Sequence, residues 1–167
     1  MLRKYLIGIA SACGASLVLA STANALIITG GLGPNGGVAV PGIGNQCLEI
    51  GGVASTAPGN VVDGFNCDGL LNQLWQITNG QIQKINNGSF TCLETLNGGT
   101  TTGTIVALGN CKTGAKYQLW NVNVYGAIVF EGATDMCLDW AGAYLQNGAR
   151  LEIRPCDGSL QQQFWLR

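Results

Sequence analysis

Cysteines and tryptophans recur along this chain in one fixed frame. Three cysteines stand 45 residues apart, each is followed by a second cysteine after 20, 19 and 19 residues, and three tryptophans keep the same 45-residue interval. The opening cysteines are Cys47, Cys92 and Cys137, the closing ones are Cys67, Cys111 and Cys156, and the tryptophans are Trp75, Trp120 and Trp165. A period of this length predicts copies of one supersecondary unit that bury their apolar faces against one another.

The first 25 residues, MLRKYLIGIASACGASLVLASTANA, have the pattern of a secretory signal peptide. Arg3 and Lys4 form a basic start, residues 6–20 are mainly apolar, and Ala23-Asn24-Ala25 is a small-x-small cleavage site. A membrane anchor is the alternative, but the apolar stretch is shorter than the ~20 residues that a span needs. We therefore expect cleavage after Ala25 and a secreted, extracellular protein.

The segment after Ala25 is mildly acidic. Of the eight basic and nine acidic residues, Arg3 and Lys4 leave with the signal, so the net charge becomes −3. This balance offers no basic patch for nucleic acid. No further apolar run is long enough to span a membrane.

Short strands joined by turns are favoured by the composition. Glycine is abundant (26 residues) and charged residues make up 10% of the chain, which disfavours long helices. In the second unit, strands are predicted over Gln81–Ile85, Cys92–Thr95, Thr104–Leu108 and Gln118–Val122. Residues 26–45 hold seven glycines and two prolines, and we interpret them as an extended, flexible lead in which Gly37–Val40 could start the first unit.

The six cysteines beyond the signal predict disulfides. Six cysteines allow 15 pairings, and pairing within each unit is the simplest: Cys47–Cys67, Cys92–Cys111 and Cys137–Cys156. Metal ligation is the alternative. It is weaker because the chain has no histidine and no C-x₂-C spacing.

The pattern of C-L-[DE], a closing cysteine and Q-x-W resembles the ricin B-type lectin repeat. The third copy, CLDWAGAYLQNGARLEIRPCDGSLQQQFW (residues 137–165), resembles it most closely, and the likeness covers residues 38–167. It implies an all-β fold, a β-trefoil of three repeats with a six-stranded barrel and a hairpin cap, after a Gly-rich lead at 26–37. In that family the Q-x-W tryptophan is a core residue, and the resemblance implies this role for Trp75, Trp120 and Trp165.

The same resemblance implies where a sugar would bind. Each family pocket combines an acid after C-L, a polar residue four before the closing cysteine, an aromatic two before it, and an Asn-Gln pair at Q-x-W. In the first copy these places hold Glu49, Asp63, Phe65, Asn72 and Gln73, so this copy is predicted to be the main site. The alternative is that Phe65 packs in the core and the two acids are solvated.

The other two copies depart from the family pattern. In the third, Arg154 replaces the aromatic and either contacts the ligand or simply pairs with Glu152, while Trp140 and Tyr144 lie near the acid. The predicted site residues of this copy are Asp139, Glu152, Arg154, Gln162 and Gln163. In the second, Glu94 is followed by Ala107 and Gly109, and Tyr117 replaces the Asn, so that copy is predicted to be structural.

A binding role is favoured over catalysis. Without histidine, Ser-His and Cys-His machinery is absent. The pairs Glu49 with Asp63 and Asp139 with Glu152 could in principle hydrolyse a glycoside, but we expect no apolar pocket on a shallow surface to raise the pKa of either acid. The prediction is a non-enzymatic lectin with glycan or glycoconjugate partners and neither metal nor cofactor. The alternative is a secreted trefoil interaction protein, such as a toxin-delivery subunit or an inhibitor, that has lost sugar binding.

Overall fold

The computed structural model describes residues 26–30, 46–51, 56–68, 70–86, 89–142 and 146–166. The predicted signal peptide and the predicted strand at Gly37–Val40 lie outside these residues. Within them, no helix has the length and apolar character needed to cross a bilayer.

The described residues form twelve strands in three sets of four, which confirms the predicted all-β trefoil. The first set is β1 (Leu26–Gly30), β2 (Gln46–Ile50), β3 (Val62–Asn66) and β4 (Leu74–Thr78). The second is β5 (Gln81–Asn86), β6 (Ser89–Thr95), β7 (Val106–Asn110) and β8 (Trp120–Val122). The third is β9 (Ile128–Phe130), β10 (Met136–Trp140), β11 (Ala149–Pro155) and β12 (Phe164–Leu166).

Single 3₁₀ turns precede the last strand of each set. They span Leu71–Gln73, Lys116–Gln118 and Leu160–Gln162, and a fourth turn, Leu96–Gly98, follows β6. The strand predicted over Gln118–Val122 is therefore shorter than expected. Gln118 ends a 3₁₀ turn and its buried amide binds neighbouring backbone, so the strand starts at Trp120.

The pairing of the strands shows the threefold arrangement. The middle strands of each set form the antiparallel hairpins β2–β3, β6–β7 and β10–β11. These hairpins meet in a ring, because β3 pairs with β11 and two bridges, Val61 to Ala107 and Ile105 to Glu152, close the other two junctions. The outer strands pair as β1 with β4 and β12, β4 with β5, and β8 with β9. Closure of this kind leaves fewer open sheet edges.

The flexible lead predicted for residues 26–45 is wrong for its first five residues. Leu26–Gly30 form β1, which pairs with β2, β4 and β12. This strand supplies the first member of the first set, so without it the first repeat would have three strands. Its apolar stretch LIIT precedes the glycines and satisfies strand propensity.

The core tryptophans of the first two repeats are confirmed. Trp75 and Trp120 are buried, and each indole Nε1 donates to a backbone carbonyl of its own hairpin at 3.0 Å, Leu48 for Trp75 and Leu93 for Trp120. A buried indole combines large apolar area with a satisfied donor. These two residues therefore anchor the hairpins to the barrel.

The third repeat does not follow the 45-residue frame. Phe164, which is 1% exposed, fills the place of the core tryptophan, and Trp165 is partly exposed. Cys137 and Phe164 are 27 residues apart, whereas Cys47 and Trp75 are 28 apart. Because successive strand residues face opposite sides, this shift of one residue turns Trp165 away from the core.

Trp140 takes up part of the space that the smaller phenylalanine leaves. It is buried, and its ring stacks on Phe164 with centroids 5.8 Å apart. A Cβ added at Gly64 would lie 2.0 Å from the Trp140 ring, so the glycine leaves the room that the indole needs.

The three disulfides predicted from the spacing are formed. They join Cys47 to Cys67, Cys92 to Cys111, and Cys137 to Cys156. Each bond links the start of a hairpin to the segment just after it. The disulfides thereby hold the two strands that carry each candidate site.

Candidate functional site

In every repeat a glutamine amide holds the acid that follows C-L. The amide Nε2 donates to one carboxylate oxygen, and the three glutamines and two of the acids are buried. The pairs are Gln73 with Glu49 at 2.8 Å, Gln118 with Glu94 at 2.7 Å, and Gln162 with Asp139 at 2.9 Å. A carboxylate fixed in this way keeps its other oxygen for a further donor.

The glutamines are themselves occupied by protein groups. The amide nitrogen of Gln73 also donates to the carbonyl of Asn66 at 2.8 Å, and its oxygen accepts the backbone N–H of Asp68 at 2.9 Å. Gln118 and Gln162 make the corresponding bonds in their own repeats. These side chains therefore act as positioning residues beneath the surface.

The third repeat uses Gln162 for this role, one residue before the glutamine of its Q-x-W. The side chain of Gln163 instead donates to the carbonyl of Gly158 at 3.4 Å. The residue that corresponds to Asn72 is consequently Gln161, which the sequence interpretation missed and which lines a cleft beside Asp139. The spacing of the first repeat, five residues from Cys67 to Asn72, leads from Cys156 to Gln161, whereas the second repeat has six residues from Cys111 to Tyr117.

The first repeat brings its predicted site residues onto one face of the β2–β3 hairpin. Glu49 lies directly opposite Asp63, and Cys47 opposite Phe65, so these side chains share a face. Phe65 is 40% exposed and Glu49 is buried. The alternative of a core Phe65 beside solvated acids does not hold. Asn72 is partly exposed in the adjoining 3₁₀ turn.

Asp63 is electrostatically unusual. Burial, followed by repulsion from Glu49, raises the pKa of its carboxyl to about 6. Its Oδ1 is buried and has no hydrogen-bond partner. The expectation that no acid of these pairs has a raised pKa is therefore wrong, since the loop at Gly51 lies against this carboxylate.

The third repeat places its acids in the same way, with a charged pair in place of the aromatic. Asp139 lies opposite Glu152, and Arg154 binds Glu152 with Nε to Oε1 at 2.7 Å while remaining 54% exposed. Burial raises the pKa of Asp139. The cleft at this repeat has a volume of about 310 Å³ and is lined by Asp139, Trp140, Gly142, Arg154, Asp157, Ser159 and Gln161. Tyr144 lies outside the described residues.

The second repeat has a cleft as well, although it was predicted to be structural. Glu94 faces Ala107 across the hairpin, and a Cβ at Gly109 would lie 2.0 Å from the Glu94 carboxylate, so the small residues give the acid room. A ring is present after all, because Tyr117 enters from the 3₁₀ turn and lines a cleft of about 390 Å³. The hairpin pattern alone could not reveal this ring.

The sites present groups that can hydrogen-bond to hydroxyls. Fixed carboxylates and amides accept and donate hydrogen bonds, and Phe65 or Tyr117 offers an apolar face. Among the described residues, no three metal-ligating side chains are grouped to hold an ion. The site residues predicted from the sequence stay predictions as ligand contacts, with Gln73 and Gln162 placed underneath.

Residues 38–165 match the model of a known family, described as the ricin-type beta-trefoil lectin domain. Among curated proteins, none matches the chain significantly.

Solved structures share the fold at low identity. A designed threefold symmetric protein, ThreeFoil, is 22% identical with a TM-score of 0.67, covering 84% of this chain and 96% of its own. The C-terminal half of an earthworm R-type lectin in complex with GalNAc is 17% identical with a TM-score of 0.65, covering 86% and 98%. A non-toxic homologue of type II RIPs from Momordica charantia (bitter gourd), in complex with α-methyl-D-galactoside, is 18% identical with a TM-score of 0.63, covering 86% and 47%.

Proposed function

The chain belongs to the ricin-type beta-trefoil lectin domain family, and we propose that it is a secreted lectin that binds glycans through shallow clefts on its trefoil repeats. Two similar structures carry sugars in their names, GalNAc for the earthworm lectin and a methyl galactoside for the bitter gourd protein. These names support a carbohydrate as the ligand class.

One observation carries the proposal: the carboxylate in each repeat is held by a buried glutamine at 2.7–2.9 Å. Sugar hydroxyls donate well to such an oxygen, and hydrogen bonds to charged groups are the stronger ones. Because the acceptor is already fixed, little conformational entropy is lost when a ligand binds.

In the first repeat we propose Glu49, Asp63, Phe65 and Asn72 as the ligand-facing set, positioned by Gln73. The exposed ring of Phe65 offers a surface for the C–H face of a sugar. In the third repeat the corresponding set is Asp139, Glu152, Arg154 and Gln161, positioned by Gln162, while Gln163 lies beside it.

The proposal of a binder rather than an enzyme rests on the acids themselves. Asp63 has a raised pKa, but its Oδ1 is buried. Glu49 is held by Gln73 and keeps one oxygen as an acceptor, an arrangement that suits binding of a hydroxyl. Secretion is supported by the signal pattern and by the three disulfides.

An immobilised glycan panel tests the proposal. The protein should be retained on at least one glycan without releasing sugar, Phe65→Ala should lose most of this retention, and Asp139→Asn should lose less. Leu70→Ala, an exposed apolar residue outside the proposed set, is the matched control. Absence of retention on every glycan would favour the interaction-protein alternative, and released sugar would favour an enzyme.

A further inference from the structure

We propose that the cleft of the second repeat binds acidic saccharides, with the Lys112 ammonium recognising an anionic substituent on the sugar. This inference rests on the proposed lectin function and names a ligand class for a site that the sequence pattern had left out.

The cleft has the size and the parts of a saccharide site. Its volume of about 390 Å³ falls in the range of small-molecule pockets. Glu94 is held by Gln118 at 2.7 Å, and the ring of Tyr117 forms a wall. The residues that line it are Pro58, Gly59, Glu94, Asn97, Gly98, Leu108, Gly109, Asn110, Lys112 and Tyr117.

The residue just after the closing cysteine distinguishes this repeat from the other two. Asp68 and Asp157 occupy that place in the first and third repeats, and each carboxylate accepts a backbone N–H two residues on, at 2.8 Å. The second repeat has Lys112 there. A lysine cannot accept such a bond, and its exposed side chain borders the cleft instead.

The charge of Lys112 is not neutralised by a neighbour. Across the ranges that the structure describes, the one ion pair within 4.0 Å is Arg154 with Glu152. The contact of the Lys112 ammonium is the ring of Tyr117, whose centroid lies 6.0 Å from Nζ. An ammonium beside an aromatic wall is placed to meet an anion carried by a sugar that stacks on that wall.

The two clefts therefore differ in net charge. The third cleft is lined by Asp139, Asp157 and Arg154, and Arg154 is already paired with Glu152. In the second repeat Ala107 stands where Glu152 stands in the third, and the second cleft is lined by one acid, Glu94, and one cation, Lys112. An anionic sugar is repelled by the third cleft and accepted by the second.

In the proposed mode of binding, three side chains of the cleft each contact a different part of the sugar. The sugar lays its C–H face on Tyr117, a hydroxyl donates to the free oxygen of Glu94, and the anionic group accepts from Lys112. The amides of Asn97 and Asn110 are available for the remaining hydroxyls.

The test compares matched neutral and acidic ligands. Beads carrying oligogalactose, oligogalacturonate or sulfated oligogalactose are offered to the Phe65→Ala/Asp139→Asn protein, in which the other two clefts are disabled. We expect at least tenfold stronger retention on an acidic ligand than on the neutral one, weakening as salt rises from roughly 0.05 to 0.5 M. Uronate and sulfate arms distinguish the two sources of the anion.

Added to this protein, Lys112→Gln should abolish the acidic preference and Lys112→Arg should keep it. Lys116→Gln, an exposed lysine that does not line the cleft, is the matched control and should change nothing. Equal retention on acidic and neutral beads, or an acidic preference that survives Lys112→Gln, would overturn the inference while leaving the lectin proposal intact. If the unmodified protein binds no glycan of any kind, the proposed function fails and this inference fails with it.

Discussion

The side chain of Gln162 donates to the carboxylate of Asp139 at 2.9 Å, whereas that of Gln163 donates to the carbonyl of Gly158 at 3.4 Å. Asp139 and Gln162 are both buried. The first glutamine therefore satisfies a buried charge, and the second is a peripheral contact.

Replacing Gln162 by leucine should lower the free energy of unfolding by about 1–3 kcal/mol, because the buried carboxylate loses its donor. Gln163→Leu, the matched control, should change it by about 0.5 kcal/mol or less. Urea titrations of both variants measure the difference. Losses of equal size would contradict the register found for the third repeat.

The same shift by one residue can be tested in the core. Phe164 is buried against Trp140, and Trp165 is partly exposed. Phe164→Ala should destabilise the protein by about 3–5 kcal/mol, and Trp165→Ala by clearly less, although tryptophan is the larger side chain. The thermal midpoints of the two variants measure these losses. A larger loss for Trp165→Ala would show that Trp165, as the 45-residue spacing predicts, is the core residue.

Gly64 and Trp140 should be energetically coupled. A Cβ at Gly64 would lie 2.0 Å from the indole, so Gly64→Ala should cost about 1–3 kcal/mol through overpacking. In a Trp140→Leu background the added methyl group has room, and the same change should cost much less. A double-mutant cycle measures this coupling, and additive losses would show that the clash is not the cause.

The raised pKa of Asp63 predicts that the folded protein becomes more stable as the pH is lowered. Its carboxyl has a pKa of about 6 in the folded protein against 3.8 for the free group. The folded state therefore binds the proton more tightly, so stability should rise as pH falls from above 6 towards 4. The raised pKa of Asp139 adds in the same direction.

Asp63→Asn removes this titration. The variant should be more stable than the unmodified protein at pH 7, and the advantage should shrink as pH falls through 6. Urea midpoints between pH 4 and 7 check both points. An advantage that stays constant with pH would show that Asp63 is not the titrating group, and Asp68→Asn, at an exposed acid, serves as the control.

The repeat architecture was readable from the sequence because covalent and local features encode it. The cysteine spacing determines which strands are joined, and the apolar alternation in each hairpin determines the face that is buried. The slip at Phe164 was hidden, since Gln163-Phe164-Trp165 satisfies the Q-x-W pattern, whereas the register in the structure uses Gln162 and Phe164. The spacing from the opening cysteine hides the slip too, because Cys137 and Trp165 are 28 residues apart, as Cys47 and Trp75 are.

Lys84 shows a different limit of sequence reasoning. Lysine is seldom buried, yet Lys84 is 1% exposed, donates to the carbonyls of Leu71 and Leu74, and lies 5.0 Å from the ring centroid of Trp75. Phe130 covers Trp120 in the same way. The burial of Lys84 follows from how the strands pair, and this pairing cannot be read from the sequence alone.

Tyr117 was misjudged for the same reason. The family pattern predicts an aromatic residue two positions before the closing cysteine, where this repeat has Gly109. The ring of Tyr117 instead reaches the cleft from the 3₁₀ turn. Sites assembled from several segments depend on neighbours in space, which a linear pattern does not list.

Calorimetric titration tests most directly whether the carboxylates held by glutamine bind sugar. The glycan best retained on the panel is titrated into the unmodified protein and into the Glu49→Gln/Glu94→Gln/Asp139→Asn variant, after circular dichroism shows that both are folded. We predict saturable heat for the unmodified protein, with a dissociation constant near the millimolar range for a single sugar, about −4 kcal/mol, and no measurable binding for the variant. Equal binding by both proteins would contradict the account.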